Sequence, residues 1–247
     1  MPYPARAGAR SLWRTALALA LVLTVLPAAD SALRTASAAC PEAPRMPTVR
    51  TLVAHPKRSG LPIFDSPDEG AFRRTLANPT HEGQYLNLRV VNTRPDWYRV
   101  QYAARPNGTT TWIRKVDVTT TITPYRLLVQ RCSKLIWLFD RGTPLMRFPA
   151  AVGKSSTPTP KGDFYVDFVE RWRPDSKYGP WLFSVNGFSE VYSSFGKGGT
   201  GQIGIHGTPA RSSVGGPTSN GCVRMFSEDI SQLATVVEGG VPVLIVD

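Results

Sequence analysis

Proline and glycine punctuate this chain about every six residues: 22 prolines and 21 glycines among 247 residues. Helix interiors tolerate neither residue well, so the chain must be built from short strands and turns rather than long helices. Apolar residues make up 42% of the sequence, enough to support a packed core and to exclude wholesale disorder. No internal repeat is visible. The expected fold is mainly β, with one or two short helices.

The N-terminus reads as an export signal, residues 1–39. Arg6, Arg10 and Arg14 form a basic region, and an apolar run follows from Ala16 to Leu26. That run is shorter than the roughly 20 residues a membrane span needs, but it suits a signal peptide. Small residues follow, ending Ala36-Ser37-Ala38-Ala39-Cys40. Cleavage fits either near residue 38 or 39 or nearer Ala29. Ser37-Ala38-Ala39-Cys40 also has the spacing of a lipoprotein box, with Ser37 where that box wants an aliphatic residue. Formal charge is +11 overall and +8 outside the first 39 residues. No basic run reaches five residues and no nucleic-acid motif occurs. The charge therefore points to an anionic wall or surface, with no nucleic-acid partner.

Residues 40–50 are proline-rich and read as a linker. From 51 to 120, strand-like segments alternate with turns: Pro62-Ile-Phe-Asp-Ser-Pro, Tyr85-Leu-Asn-Leu-Arg-Val-Val and Trp97-Tyr-Arg-Val-Gln-Tyr. Asn107-Gly108 marks a hairpin turn between Val100 and Thr111. This spacing predicts a small β-barrel. The stretch Asp96-Trp-Tyr-Arg-Val to Asn107-Gly-Thr-Thr-Thr-Trp-Ile-Arg resembles the end of a bacterial SH3-like domain. Residues 119–124, Thr-Thr-Thr-Ile-Thr-Pro, read as a polar connection. Beyond them the strand pattern resumes at 125–130, 135–139, 148–152, 164–169 and 203–205. A helix is expected after Ser227, capped by Ser227 itself, with Glu228 and Asp229 in its first turn. Residues 171–201 carry Trp172, Tyr178, Trp181, Phe183 and Phe188 among turn residues, and read as a long lid-like loop.

Several chemistries are excluded by pattern. Gly153-Lys154-Ser155 is not a phosphate loop, because Phe148 stands where its first glycine must be. There is no CxxC, HExxH or GxSxG, and three scattered histidines make no zinc site. What remains is Ile203-Gly-Ile-His206-Gly207-Thr, followed by Thr218-Ser219-Asn220-Gly221-Cys222-Val-Arg224. Either His206 or Cys222 alone reads as a buried structural side chain. Together, on a strand end and across a Gly-, Pro- and Ser-rich loop, they read as a base and a thiol nucleophile. Gly221 would leave backbone N–H groups open to an oxyanion.

These residues resemble the L,D-transpeptidase family, with its YkuD-type catalytic domain. The motif His206-Gly207, then Ser219-Asn220-Gly221-Cys222-Val223-Arg224, carries the resemblance. Gly153-Lys-Ser-Ser-Thr-Pro-Thr-Pro-Lys-Gly162 resembles the family's upstream stretch. Asn220 departs from the family pattern, standing where many members have a second histidine, so His206 must do proton transfer alone. The resemblance implies a β-sandwich-like catalytic domain over 125–247 behind an SH3-like barrel. It also implies a secreted cysteine acyltransferase that cross-links peptidoglycan stem peptides through a thioester on Cys222. Gly207 would orient His206, Asn220 and Gly221 would flank the oxyanion site with Ser219 beside them, and Arg224 would anchor the loop or contact a carboxylate. No metal and no cofactor is implied. Partners would be donor and acceptor stem peptides, and carbapenem β-lactams would acylate the thiol. A hydrolase that trims D-alanine and a non-enzymatic wall-binding protein are the competing readings. If Cys222 stays free in an oxidising compartment, parity leaves Cys40 to pair with Cys132, unless Cys40 is lipidated.

Overall fold

The computed structural model describes residues 40, 45–48, 50–195 and 199–247, which belong to one compact unit. The expected export signal, residues 1–39, lies outside the described residues. The structure is mainly β.

Seven strands come first: β1 (Thr51–Pro56), β2 (Gly60–Phe64), β3 (Phe72–Ala77), β4 (Leu88–Thr93), β5 (Trp97–Gln101), β6 (Thr110–Arg114) and β7 (Val118–Thr123). They form one barrel-like sheet in the order β3-β2-β6-β5-β4-β1-β7. Alternation places Ala54, Leu61, Ile63, Leu88, Val100 and Ile113 in its core, each fully buried. The Asn107-Gly108 turn does join β5 to β6, which pair antiparallel. The polar connection expected at 119–124 is instead mostly strand. β7 pairs antiparallel with β1 from Thr51↔Thr123 to Pro56↔Val118. Its β-branched threonines suit a pleated edge, and polarity alone concealed that.

The chain then passes directly into β8 (Tyr125–Gln130), β9 (Leu135–Asp140), β10 (Thr143–Pro149), β11 (Val152–Gly153), β12 (Gly162–Arg171), β13 (Trp181–Phe188), β14 (Gln202–Thr208), β15 (Pro217–Ser219), β16 (Val223–Phe226), α1 (Ser227–Leu233) and β17 (Pro242–Val246). Eight of these strands form a sheet ordered β10-β9-β8-β17-β12-β13-β14-β16, while β11 and β15 pair separately. Its core includes Leu127, Ile136, Phe164, Phe183, Ile205 and Val243. Ile230 and Leu233 of α1 bury into the same core. Ser227 does not cap α1: the N-cap is Phe226 and no side chain caps the helix. Ser227 is the first helical residue, and its carbonyl accepts from Ser231 Oγ instead.

The long loop expected over 171–201 is also corrected. Its middle is β13, a central strand between β12 and β14 whose Phe183 and Val185 are fully buried. A strand covered on both sides loses the polar alternation that marks a half-exposed one, so it did not read as a strand. Among the described residues of this stretch, 172–180, 189–195 and 199–201 remain as loops.

Cys40 and Cys132 form a disulfide, with Cα atoms 5.5 Å apart and 92 residues between them in sequence. It ties the segment before β1 to the turn between β8 and β9. Closing a loop of that length restricts the unfolded chain by about 4–5 kcal/mol in the chain-entropy picture.

Candidate active site

Strands β14 and β16 run parallel, with His206 opposite Arg224. Cys222 stands two residues before Arg224, just ahead of β16. A period of two along the strand puts Cys222 and Arg224 on one side. His206, Asn220, Cys222 and Arg224 all line one cavity of about 1050 Å³. Cys222 is the one free cysteine among the described residues.

His206 is 4% exposed. Its Nδ1 lies 2.6 Å from the carbonyl oxygen of Gly207. A carbonyl only accepts, so Nδ1 carries the proton and Nε2 is left with its lone pair. Burial, opposed by that hydrogen bond and assisted by the charges of Arg224 and Lys177, pushes the imidazole pKa down to about 4. Burial raises the Cys222 thiol, against a backbone hydrogen bond from Gly204 and the charge of Arg224. Both shifts favour uncharged forms. The cavity that both line thus favours the thiol form of Cys222 and the neutral imidazole of His206.

The loop before Cys222 is braced from beneath. Ser219 is fully buried and donates from Oγ to the Cys222 carbonyl, while accepting from the Gly221 N–H at 3.1 Å. The Ser219 carbonyl in turn accepts from the Lys154 N–H at 3.0 Å and from Thr157 Oγ1 at 3.3 Å. This explains the Thr-Pro-Thr-Pro stretch: 154–159 folds back on Gly153 and supports the loop that carries Cys222. A Cβ at Gly153 would sit 2.3 Å from the Thr157 carbonyl oxygen and 2.4 Å from the Thr159 nitrogen. Ser219 and Gly221 do not line the cavity. Of the backbone N–H groups near Cys222 that the sequence offered to an oxyanion, that of Gly221 is engaged by Ser219 Oγ. Ser219 is a brace rather than a substrate contact. Gly207 holds His206 through its carbonyl. Asn220 is exposed within the cavity. Arg224 lines it too, and among the described residues no carboxylate lies within ion-pair distance of its guanidinium.

Tyr178, which the sequence placed in the lid-like stretch, and Lys177, which it did not single out, lie beside His206. Tyr178 meets the imidazole edge-on, ring centroids 4.9 Å apart, and is itself met edge-on by Trp172 at 4.9 Å. Lys177 joins Tyr178 in the cavity wall. Gly179 makes this approach possible. It adopts φ +63°, and a Cβ there would sit 2.8 Å from the Gly207 Cα. Two glycines facing each other carry no periodicity, so no sequence pattern announced the contact.

The far wall is held by the barrel-like sheet. Asn107 binds β13 on both sides of one residue, accepting from the Phe188 N–H at 2.8 Å and donating to the Phe188 carbonyl at 2.9 Å. Arg105 donates to the carbonyls of Ser189 at 2.8 Å and Tyr192 at 2.9 Å. Tyr192, Phe195 and Gly201 of the anchored segment line the cavity. Asn107, read from sequence only as a turn residue, is thus also a clamp. Among the described residues no cluster of three His, Cys, Asp or Glu is placed to hold a metal ion.

Comparison with known proteins adds a family context. Residues 124–245 match the family model of the L,D-transpeptidase catalytic domain, YkuD. A Bacillus licheniformis protein named as the L,D-transpeptidase YkuD is 34% identical over 123 residues, 49% of this chain and 66% of that relative. A Bacillus subtilis protein named as the L,D-transpeptidase YqjB is 32% identical over 137 residues, 50% of this chain and 72% of that relative. The chain thus spans slightly under two thirds of the first of these. A solved L,D-transpeptidase from Mycobacterium tuberculosis H37Rv superposes with a TM-score of 0.44 at 15% identity, covering 66% of this chain and 90% of that one.

Proposed function

Because this chain belongs to the L,D-transpeptidase family, we propose that it cross-links peptidoglycan stem peptides through a thioester on Cys222. The observation that carries the reading is the tautomer of His206: its Nδ1–H is held by Gly207, and Nε2 is left as the base in a cavity that also holds the only free thiol among the described residues.

The chemistry follows from a neutral pair. His206 Nε2 takes the thiol proton as Cys222 Sγ attacks the carbonyl between the L-centre of a diamino acid and D-alanine. The new S–C bond forms, the C–N bond breaks, and D-alanine leaves with the proton from Nε2. A thioester remains. An amine of a second stem then attacks the thioester carbon, passing a proton to His206 as the C–S bond breaks. The proton returns to sulfur. Proton transfer coupled to attack supplies the thiolate only at the moment it is used. Arg224 and Lys177 lend the cavity positive charge suited to the carboxylate ends of stem peptides.

Export fits this substrate. The basic and apolar segments at the N-terminus and the Cys40–Cys132 disulfide support it, since such bonds persist in oxidising compartments. The barrel-like sheet, read as an SH3-like domain over 51–120, would serve wall attachment and would hold the cavity wall through Arg105 and Asn107.

Incubating the purified protein with a tetrapeptide stem and an amine acceptor tests the proposal. A cross-linked product with release of D-alanine is expected. Free tripeptide alone would make the protein a hydrolase. A Cys222 thiol left unmodified by a carbapenem, in folded protein, would favour a binding module.

A further inference from the structure

The floor of the cavity is a sheet face. Leu182 and Ser184 of β13, Gly204 and His206 of β14, and Cys222 and Arg224 at β16 all line it. The period of two along each strand puts them on one side. Register then sorts them into rows across the three strands. His206 lies opposite both Leu182 and Arg224. Gly204 lies opposite Ser184, and one step back from Ile205↔Val223 sets Cys222 on its other side. Ser184 and Cys222 therefore stand two strand spacings apart, about 9.6 Å. Gly204 between them carries no side chain. A Cβ there would come within 2.7 Å of Leu182 Cδ1, so an apolar strip separates the hydroxyl from the thiol.

Ser184 is the polar end of that row. It is 7% exposed, and its Oγ accepts from Gln202 Nε2 at 3.0 Å. The same Nε2 donates to Asp167 Oδ2 at 3.1 Å. That second bond fixes the first. A carboxylate only accepts, so Asp167 holds the carboxamide with its NH₂, not its oxygen, toward Ser184. Asp167 is 9% exposed and is the extra residue of a β12 bulge, where pairing runs Val166↔Val185 and then Phe168↔Ser184. Such bulges re-aim a side chain and recur beside functional sites. Asn87, just before β4, donates to the Asp167 carbonyl at 3.1 Å and steadies the bulge from the barrel-like sheet.

A hydroxyl has one proton to give. With the Ser184 oxygen engaged as acceptor by Gln202, that proton is left for another partner. The cavity is where such a partner lies, because Ser184 lines it.

We propose that the Ser184 hydroxyl donates to an acceptor oxygen, carbonyl or carboxylate, of the peptide whose scissile carbonyl meets Cys222. Gln202 and Asp167 are its positioning residues. Reach assigns that oxygen to the amino side of the scissile bond. On the other side only D-alanine remains, and one residue extends about 3.6 Å. The first two residues of a stem tetrapeptide, on the amino side, span the distance to Ser184. That the peptide is a stem rests on the function proposed above; the orientation of the hydroxyl does not.

The test reads peptide binding by calorimetry. It uses the full disulfide-bonded chain carrying Cys222→Ala, so that the peptide is not turned over. The probes are a lysine-containing stem tetrapeptide and L-lysyl-D-alanine, which lacks the two residues assigned to Ser184. Ser184→Ala should weaken tetrapeptide binding about three- to tenfold, as loss of one hydrogen bond gives, and should not weaken the dipeptide. Gln202→Met, which frees the hydroxyl to turn away, should weaken the tetrapeptide in the same direction. A merely structural defect would weaken both peptides alike and would move the His206 pKa, read by NMR. Equal losses on the two peptides, or undiminished tetrapeptide binding in both folded variants, would overturn the proposal. So would failure of the parent chain to bind the tetrapeptide. Cross-linking by the wild type is measured separately, so a chain that binds the stem through Ser184 without cross-linking it would fail the function alone.

Discussion

Tyr178 presses its ring edge against His206 at a centroid distance of 4.9 Å and 86° between planes. That contact helps keep water from the imidazole, and burial is the main reason its pKa falls to about 4. Tyr178→Ala should therefore return the His206 pKa toward 6.5, read by NMR titration of the imidazole. Tyr178→Phe should leave it near its present value. A pKa unmoved by the alanine variant would show that other walls do the desolvating.

The Cys222–His206 pair should fail as a unit. Cys222→Ser keeps the shape but presents a hydroxyl too weakly acidic for a lone imidazole to activate. Carbapenem acylation should vanish while the fold survives. His206→Ala should leave slow acylation only, down by about 10²–10⁴-fold as expected for loss of a general base. Burial already raises the thiol, so less spontaneous thiolate persists than in a free cysteine. The double variant should be no worse than Cys222→Ser. Acylation kinetics followed by mass spectrometry checks this, and full activity in either single variant would overturn the assignment.

Asn107 and Arg105 should matter to a reaction they do not touch. Asn107→Ala removes two hydrogen bonds to Phe188, at about 1 kcal/mol each, and should lower Tm by several degrees. Arg105→Ala should loosen residues 189–195 and 199–201 with little loss of stability, because Arg105 is exposed. The expected readout is a higher ratio of hydrolysis to transfer, as the cavity excludes water less well. An unchanged ratio in both variants would confine the barrel-like sheet to roles away from catalysis.

Stability should respond to pH through two opposed buried groups. His206, with a folded pKa of about 4 against an ordinary 6.5, binds fewer protons folded than unfolded between those values. Its contribution is present above 6.5 and is lost as pH falls toward 4. Asp167, raised from 3.8 to about 6, does the reverse and destabilises the fold as pH rises through that window. Each shift is worth on the order of 3 kcal/mol, so they largely cancel. Urea melts of the wild type at neutral pH and near pH 4 should therefore differ little from these two groups. Asp167→Asn should be the more stable protein at neutral pH and should lose that advantage on acidification. A variant as pH-insensitive as the wild type would contradict the assigned shifts.

The spacing of His206 and Cys222, with glycine after one and before the other, was enough to single out the candidate pair. Parity among three cysteines pointed to Cys40–Cys132 provided that Cys222 stayed free and Cys40 was not lipidated, and the structure forms that bond. The density of proline and glycine was enough to make the chain β-rich, because those residues act locally through φ and the missing N–H. Tertiary structure decided the rest. β13 lay hidden in an aromatic stretch, since a strand buried on both faces has no alternation to read. Ser219 turned from an expected substrate contact into a brace because its neighbours at 154–157 come from a distant loop. Tyr178 reached His206 only because Gly179 and Gly207 meet backbone to backbone. Asp167 lost its neighbours' register at a bulge, and its solvent where the two sheets meet. Each of these facts depends on contacts between residues far apart in the chain, and no local pattern encodes which distant residue will fill a given space.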